Sequence, residues 1–208
     1  MAGKNIVLGA LAAVCVACAP DQPAPTAGFD IAVPLLAVGG NTGSNLETHL
    51  TGDEEVLAVA EGAPHPRDSR AQGQAIFRVS DDGSTADFKL ISTNIDNVIM
   101  AHIHCGRVGA NGPIRMWLFP VIGPSGAARE SGLGRESGVL AEGTFSFGTI
   151  TCPASAVGTD MPLLDAIRGG LTYVNVHTND GVGSGNSGPG DFPGGEIRGQ
   201  IDHPGGGS

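Results

Sequence analysis

The sequence predicts an all-β fold, namely an antiparallel β-sandwich, Greek-key-like or barrel-like, of about seven to eight strands. Charged residues make up only 15% of the 208 residues, against roughly 25% in an average domain. The chain carries 34 glycines and 14 prolines, which interrupt it too often for long helices. Between them lie short segments in which polar and apolar residues alternate, as in strands that bury one face.

The predicted strands follow one another from residue 45 onwards. Segments 73–80 and 85–93 flank the turn sequence SDDGS, which predicts a hairpin. Residues 162–170 form a short window of helical character that ends on two glycines, and residues 122–138 are predicted as a loop. The other strands are expected at 45–52, 97–104, 114–121, 139–151, 171–178 and 195–202.

The segment before these strands is typical of an exported protein. Residues 1–18 combine a weakly positive start with an apolar run of small and aliphatic residues, as in a secretory signal peptide. Residues 19–44 are rich in proline and glycine and predict a tether. The domain is expected to span residues 45–203, followed by a flexible tail at residues 204–208.

Two routes of processing are open for this leader. Ala17-Cys18-Ala19 has the small-x-small pattern of ordinary signal cleavage, whereas Cys18 after Val16-Ala17 resembles a lipoprotein box. The second route is favoured because Pro20 is a poor residue to follow a cleavage site. We therefore expect a secreted or cell-envelope protein that contacts a membrane only through a lipid on Cys18.

The net charge of −10 excludes two classes of partner. Nucleic acids and anionic membrane surfaces are bound through clustered lysine and arginine, which this chain lacks. The acidic run Asp53-Glu54-Glu55 is predicted to be a solvated turn, because three consecutive acids alternate faces and cannot all bind one calcium ion. No G-x-S-x-G motif indicates a serine nucleophile.

Three histidines are the strongest candidates for a site. His102 and His104 lie two apart on a predicted strand and therefore share a face, together with Val98 and Met100, opposite Ile99, Ala101 and Ile103. On another predicted strand, His177 shares a face with Tyr173 and Asn175, and Glu196 and Arg198 share the polar face of the last strand.

If these strands are neighbours, His102, His104 and His177 can meet in a three-nitrogen site for copper or zinc, with Glu196 close by. The simpler alternative also remains open: the histidines form hydrogen bonds with strand-end carbonyls and with Glu196 or Asn175. Glu196 and Arg198 are expected to form an exposed ion pair of little energetic value.

Cys105 and Cys152 are the two cysteines outside the leader. In an oxidising compartment such a pair most often forms a disulfide. The weaker alternative makes Cys105 a thiolate ligand beside the histidines.

Five segments taken together resemble the chordin-type (CHRD) domain family over residues 45–202. In order they read HLTGDEEV, AQGQAIFRVSDDGSTADFKL, AHIHCGRVGANGPIRMWLF, YVNVHTND and PGGEIRGQI. The opening departs from the family, which usually continues Glu-Val with two prolines where this chain has EVLAV. The family's motif residues fall on His102, His104, Gly106, Gly109, Asn111, Gly112, Pro113, Tyr173, Asn175, His177, Thr178, Gly195, Glu196, Arg198 and Gly199.

The resemblance implies an all-β extracellular module without agreed enzymatic activity, found in animal chordins and in bacterial exported proteins. It favours a non-enzymatic binding or scaffolding role, with an extracellular protein or a matrix component as the partner. A fainter likeness supplies the alternative: His-x-His on a strand of a sandwich is similar to the copper ligands of copper–zinc superoxide dismutases. The run of zinc ligands of that family is missing here, so an oxidoreductase is the second hypothesis.

Overall fold

The computed structural model describes residues 45–57, 68–183 and 185–202. The predicted all-β antiparallel fold is confirmed, with eight strands in one sheet and two short strands in another. The ten strands of this part of the chain are β1 (Asn45–Thr51), β2 (Gln72–Val79), β3 (Thr85–Asp96), β4 (Val98–Cys105), β5 (Ile114–Phe119), β6 (Arg135–Ser146), β7 (Thr151–Cys152), β8 (Met161–Pro162), β9 (Thr172–Thr178) and β10 (Ile197–Gln200).

The predicted signal peptide (1–18) with its lipidation site Cys18, the tether (19–44) and the tail (204–208) lie outside the described residues. No helix within the described ranges has both the length and the apolar character needed to cross a membrane.

The large sheet runs in the order β5-β4-β9-β10-β1-β2-β3-β6 and curls almost into a closed barrel. Its two ends approach each other where the side chain of Ile122, just after β5, lies against Gly143 of β6. Of the arrangements that the sequence left open, the molecule therefore adopts the barrel-like one. β4 and β9 are neighbours in this order although they lie far apart in the sequence.

The hairpin of β2 and β3 follows the predicted alternation, with Ala75, Phe77 and Val79 buried between half-buried neighbours. Phe77 packs against Phe88 of β3 and Phe145 of β6, with ring centroids 6.4 Å away in both cases. Strand β6 begins at Arg135, inside the segment predicted as a loop, because its first residues pair with the end of β3.

Two short helices, α1 (Ala154–Val157) and α2 (Leu163–Arg168), flank the small sheet of β7 and β8. The sequence predicts α2 and misses α1, which is a single turn. Cys152 of β7 is bonded to Cys105 of β4, with 5.6 Å between the Cα atoms. The predicted disulfide is therefore present and fixes this corner to the end of β4, and the alternative of a Cys105 thiolate ligand is wrong.

One predicted face assignment is wrong at the start of β4. The pairing of β4 with β9 shifts register between Val98 and Met100. Val98 consequently joins the hydrophobic core with Ala101 and Ile103, whereas Ile99 is buried outside that cluster. A bulge inserts one residue and reverses the side-chain phase before it, so the histidine face begins after the irregularity.

Candidate metal centre

The three candidate histidines meet in the interior of the molecule. Strands β4 and β9 pair so that His102 lies opposite Asn175 and Met100 lies opposite His177. The ring centroid of His102 is 5.4 Å from that of His104 and 5.0 Å from that of His177. One nitrogen from each of the three rings lies within 4.8 Å of the other two, a spacing from which three imidazoles can bind a single ion.

Backbone carbonyls fix two of the rings. Nδ1 of His104 lies 2.8 Å from the carbonyl oxygen of Gly112, and Nδ1 of His177 lies 3.0 Å from that of Pro193. A carbonyl oxygen only accepts, so Nδ1 carries the proton and Nε2 presents its lone pair. This is the usual orientation of a histidine that binds a metal through Nε2.

The remaining ring nitrogens have no hydrogen-bonding partner among the described residues, although they are shielded from solvent. They are Nε2 of His104, Nε2 of His177 and both nitrogens of His102. The exposed fractions of the three residues are 0% for His102, 8% for His104 and 5% for His177. Buried polar groups are rarely left unpaired, so the simpler hypothesis of structural hydrogen bonds accounts for only two of the six ring nitrogens.

Electrostatics keep the three imidazoles neutral. Burial, reinforced by the charges that His177 and His104 would carry, lowers the pKa of His102 to about 2. Burial lowers the pKa of His104 to about 4, against the hydrogen bond to Gly112, and burial with the charge of His104 lowers the pKa of His177 to about 3. At neutral pH every ring therefore has a lone pair available for a metal.

Aromatic rings enclose the site on two sides. The Trp117 ring stands at 86° to the His102 ring, with centroids 4.2 Å apart. On its outer side Trp117 packs against Gly126, where a Cβ would come within 2.8 Å of the indole. The Tyr173 ring lies nearly parallel to His104, with centroids 4.8 Å apart, and Arg198 stacks on it with its guanidinium carbon 3.5 Å from the ring centroid.

Glycine is required at position 112 by close backbone contact. A Cβ there would overlap the carbonyl oxygen of Cys105, which is the residue after His104. The loop is closed by the Cys105 amide donating to Pro113 and by the Gly112 amide donating to the Tyr173 hydroxyl. These contacts place the carbonyl of Gly112 against His104.

The predicted solvated acidic turn is only partly correct. Residues 52–54 form a 3-10 helix in which Asp53 and Glu54 are exposed, but Glu55 is buried. Its carboxylate accepts a hydrogen bond from Nδ2 of Asn175 at 3.4 Å. The main chain leaves the short helix in an extended conformation at Glu55, which turns this side chain towards β9.

The predicted exposed ion pair of Glu196 and Arg198 is wrong, because both side chains are buried and bind different partners. Arg198 donates to Asn111 Oδ1 at 3.0 Å and to backbone carbonyls of the loop after β4, those of Arg107 and Ala110. Burial lowers the pKa of Arg198. A long buried side chain that reaches into a neighbouring loop has no signature in strand periodicity.

Glu196 does not join the histidines as the sequence suggested. Its carboxylate accepts hydrogen bonds from the Ser69 hydroxyl at 2.6 Å, the Thr178 hydroxyl at 2.6 Å and the Gly190 amide at 2.9 Å. The three donors come from the end of β9, from the loop between β9 and β10, and from the segment that precedes β2. The side-chain oxygen of Asn111 accepts a hydrogen bond from Arg198, and the side-chain NH2 group of Asn111 donates to the carbonyl of Val56. Both residues are therefore connectors of loops and strands.

Sequence reasoning missed Trp117, Pro193 and Glu55 as parts of this site. Trp117 lies opposite His102 in the pairing of β4 and β5, so it was within reach of an argument from neighbouring strands. Pro193 and Glu55 lie in irregular segments, and no sequence periodicity predicts where such segments pack in the fold.

Comparison with known proteins identifies one family. The family model described as the CHRD domain matches residues 46–201. Neither the curated proteins nor the solved structures contain a match to this chain.

Proposed function

The chain belongs to the CHRD domain family, a family of extracellular modules without known enzymatic activity, and we propose that this member binds one transition-metal ion, copper or zinc, through His102, His104 and His177. The proposal includes export from the cytoplasm. Outside the cell or in its envelope, the protein would have a binding or scaffolding role, with an extracellular protein or matrix component as the partner. Lipidation of Cys18 is proposed as the anchor to the membrane.

The observation that carries the metal site is the set of ring nitrogens left without protein partners in the interior. A buried polar group without a partner costs about 1–3 kcal/mol. A metal ion at the meeting point of the rings would bind one nitrogen of each histidine and remove the cost at those three nitrogens. The second nitrogen of His102 would still have no partner among the described residues. The carbonyls of Gly112 and Pro193 supply the outer support that metal-binding imidazoles require.

The enclosure of the site favours a binding module over an oxidoreductase. A redox enzyme must admit its substrate to the metal, whereas here Trp117 and Tyr173 pack against the candidate ligands and His102 has no exposed surface. The superoxide dismutase hypothesis therefore remains the second one, and its test is turnover by the metal-loaded protein.

The disulfide between Cys105 and Cys152 supports the location. Structural disulfides persist in oxidising compartments and are rare in the cytosol. Mass spectrometry of the mature N-terminus tests the anchor: an acylated Cys18 supports it, and an unmodified start refutes it.

Elemental analysis tests the metal site. The mature protein, purified with copper and zinc present, should carry one metal ion per chain, and His102→Gln or His177→Gln should carry less than a tenth of that. His49→Gln is the matched control, because His49 is exposed on β1. Metal-free protein under these conditions, or equal loss in the control, contradicts the proposal. Superoxide turnover that depends on His177 would favour the enzyme.

A further inference from the structure

We propose that the trihistidine site selects the monovalent ion Cu(I) over the divalent ions Zn(II) and Cu(II). This inference rests on the proposed metal-binding function and adds the charge and oxidation state of the ion. Its basis is the donor set, the enclosure of the site and the charges around it.

The donor set brings no negative charge. Within the described residues, the group that can surround an ion consists of the three histidines, without an acidic side chain or a thiolate. Cys105, next to His104 in the chain, is held in a disulfide, and Glu196 is engaged by Ser69 and Thr178. Three neutral imidazoles leave the full charge of the ion uncompensated.

Burial makes that charge costly. The electrostatic cost of moving an ion out of water rises with the square of its charge, so a dication pays about four times the cost of a monocation. The three histidines are between 0% and 8% exposed. Neutral ligands in such a site therefore penalise Zn(II) and Cu(II) far more than Cu(I).

A cation next to the site adds to this discrimination. The Tyr173 ring is stacked by His104 at 4.8 Å and by the guanidinium of Arg198 at 3.5 Å, so the two groups occupy opposite faces of one ring. The positive charge of Arg198 thus lies one ring away from a candidate ligand. The Glu55 carboxylate offsets part of this positive charge, because it interacts electrostatically with Arg198, but it contacts the amide of Asn175 and is not one of the groups that can surround the ion.

The coordination number points the same way. Zn(II) in proteins is almost always four-coordinate, and Cu(II) prefers four donors in a tetragonal arrangement. Three nitrogens are offered here, and no fourth histidine, cysteine or acidic side chain joins them within the described residues. The Trp117 ring packs against His102 and is itself in contact with Gly126. A trigonal set of three nitrogens suits Cu(I), which does not require a fourth ligand.

Competition titrations of the metal-free, full-length mature protein test the inference. Cu(I) is added without oxygen against a chromophoric Cu(I) chelator, and Zn(II) and Cu(II) are added against chelators of known affinity. We expect one Cu(I) per chain, bound at least about 100-fold more tightly than Zn(II). A hundredfold preference for Cu(I) over Cu(II) at the same site would raise the reduction potential of the bound copper above that of the solvated ion by about 118 mV, at 59 mV per tenfold change.

The outcomes separate this inference from the proposed function. Equal or tighter binding of Zn(II) or Cu(II) at the same histidines overturns the selectivity for Cu(I) and leaves the metal site standing. No binding of any of the three ions overturns both.

A pair of variants tests the role of the aromatic wall. Trp117→His places a possible fourth nitrogen beside His102 and should lower the ratio of Cu(I) to Zn(II) affinity at least about tenfold. Trp117→Phe keeps an apolar ring there and should leave the ratio near that of the unmodified protein. A ratio that is the same in both variants counts against the argument, and the ratio in the unmodified protein decides the matter if Trp117→His does not fold.

Discussion

The rings of His104 and Tyr173 lie at only 8° to each other, with centroids 4.8 Å apart, and both side chains are hydrogen-bonded to the same residue, Gly112. Gly112 donates its amide hydrogen to the Tyr173 hydroxyl and accepts a hydrogen bond from His104 through its carbonyl. The tyrosine therefore positions a candidate ligand twice, by stacking on it and by holding the residue that orients it.

Removing the hydroxyl of Tyr173 should weaken metal binding more than it weakens the fold. Tyr173→Phe keeps the stack and leaves the half-buried amide of Gly112 without its acceptor, which should lower the free energy of unfolding by about 1 kcal/mol. Loss of a partner that is hydrogen-bonded directly to a ligand typically lowers metal affinity 10- to 100-fold. The hydroxyl acts on His104 through Gly112, so we expect a loss of about tenfold, at the lower end of that range. Urea unfolding of the metal-free protein and a competition titration measure the two effects. An unchanged metal affinity would show that the hydroxyl does not position His104.

Acid should destabilise the metal-free protein well above the pH at which carboxylates titrate. The folded-state pKa values of the three histidines, about 2, 4 and 3, lie below the unfolded value of 6.5. Between these limits the unfolded chain binds more protons, so stability is complete above pH 6.5 and falls as the pH decreases towards 4. Each histidine contributes about 1.4 kcal/mol of loss per pH unit in that window.

Unfolding by urea at a series of pH values measures this slope. His102→Gln should reduce it by about one third, because one of the three buried histidines no longer titrates. His49→Gln, on an exposed side chain, should leave it unchanged. A slope that is the same in the unmodified protein and in His102→Gln would contradict the burial of neutral imidazoles.

The sequence predicts most of the fold because strand alternation and turn residues are local signals. The hairpin of β2 and β3 and the shared face of His102 and His104 follow from them directly. The meeting of His177 with these two depends on β4 and β9 being neighbours, which is a property of sheet order. From the sequence, the three histidines were expected to meet only if these strands are neighbours. The strand order of the barrel makes them neighbours, and the three histidines do meet.

The main error of the sequence prediction is that it places charged residues in solvent that the structure buries, and the error has a physical reason. Glu55, Glu196 and Arg198 are polar in the pattern and were assigned to solvent, yet all three are buried. Glu196 and Arg198 bind a loop amide, hydroxyls and loop carbonyls, and Glu55 binds the side-chain amide of Asn175. No side-chain periodicity encodes such partners. A dense set of glycines beside a charged residue, as in PGGEIRGQ, is the available signal, since glycine allows the close backbone approach that such burial needs.

The disulfide should be a major contributor to stability. Cys105 and Cys152 are separated by 47 residues and both are fully buried. In the chain-entropy model a loop of this length contributes about 4 kcal/mol. The double variant Cys105→Ala, Cys152→Ala should lose about that much in urea unfolding, and a loss below about 1 kcal/mol would show that the bridge adds little to packing that already fixes the end of β4.

The buried carboxylate of Glu196 should be worth far more than a surface one. Glu196→Gln removes the negative charge: its side-chain oxygen can still accept from the Thr178 hydroxyl and the Gly190 amide, while its NH2 group faces the Ser69 hydroxyl, which donates to the carboxylate in the unmodified protein. Loss of the charge-assisted bonds should lower the free energy of unfolding by about 1–3 kcal/mol. Glu142→Gln is the matched control, because Glu142 pairs with Lys89 at 3.0 Å on the surface and should change stability by less than about 1 kcal/mol. Equal effects of the two variants would show that the buried position 196 tolerates an amide and that the three hydrogen bonds do not depend on its charge.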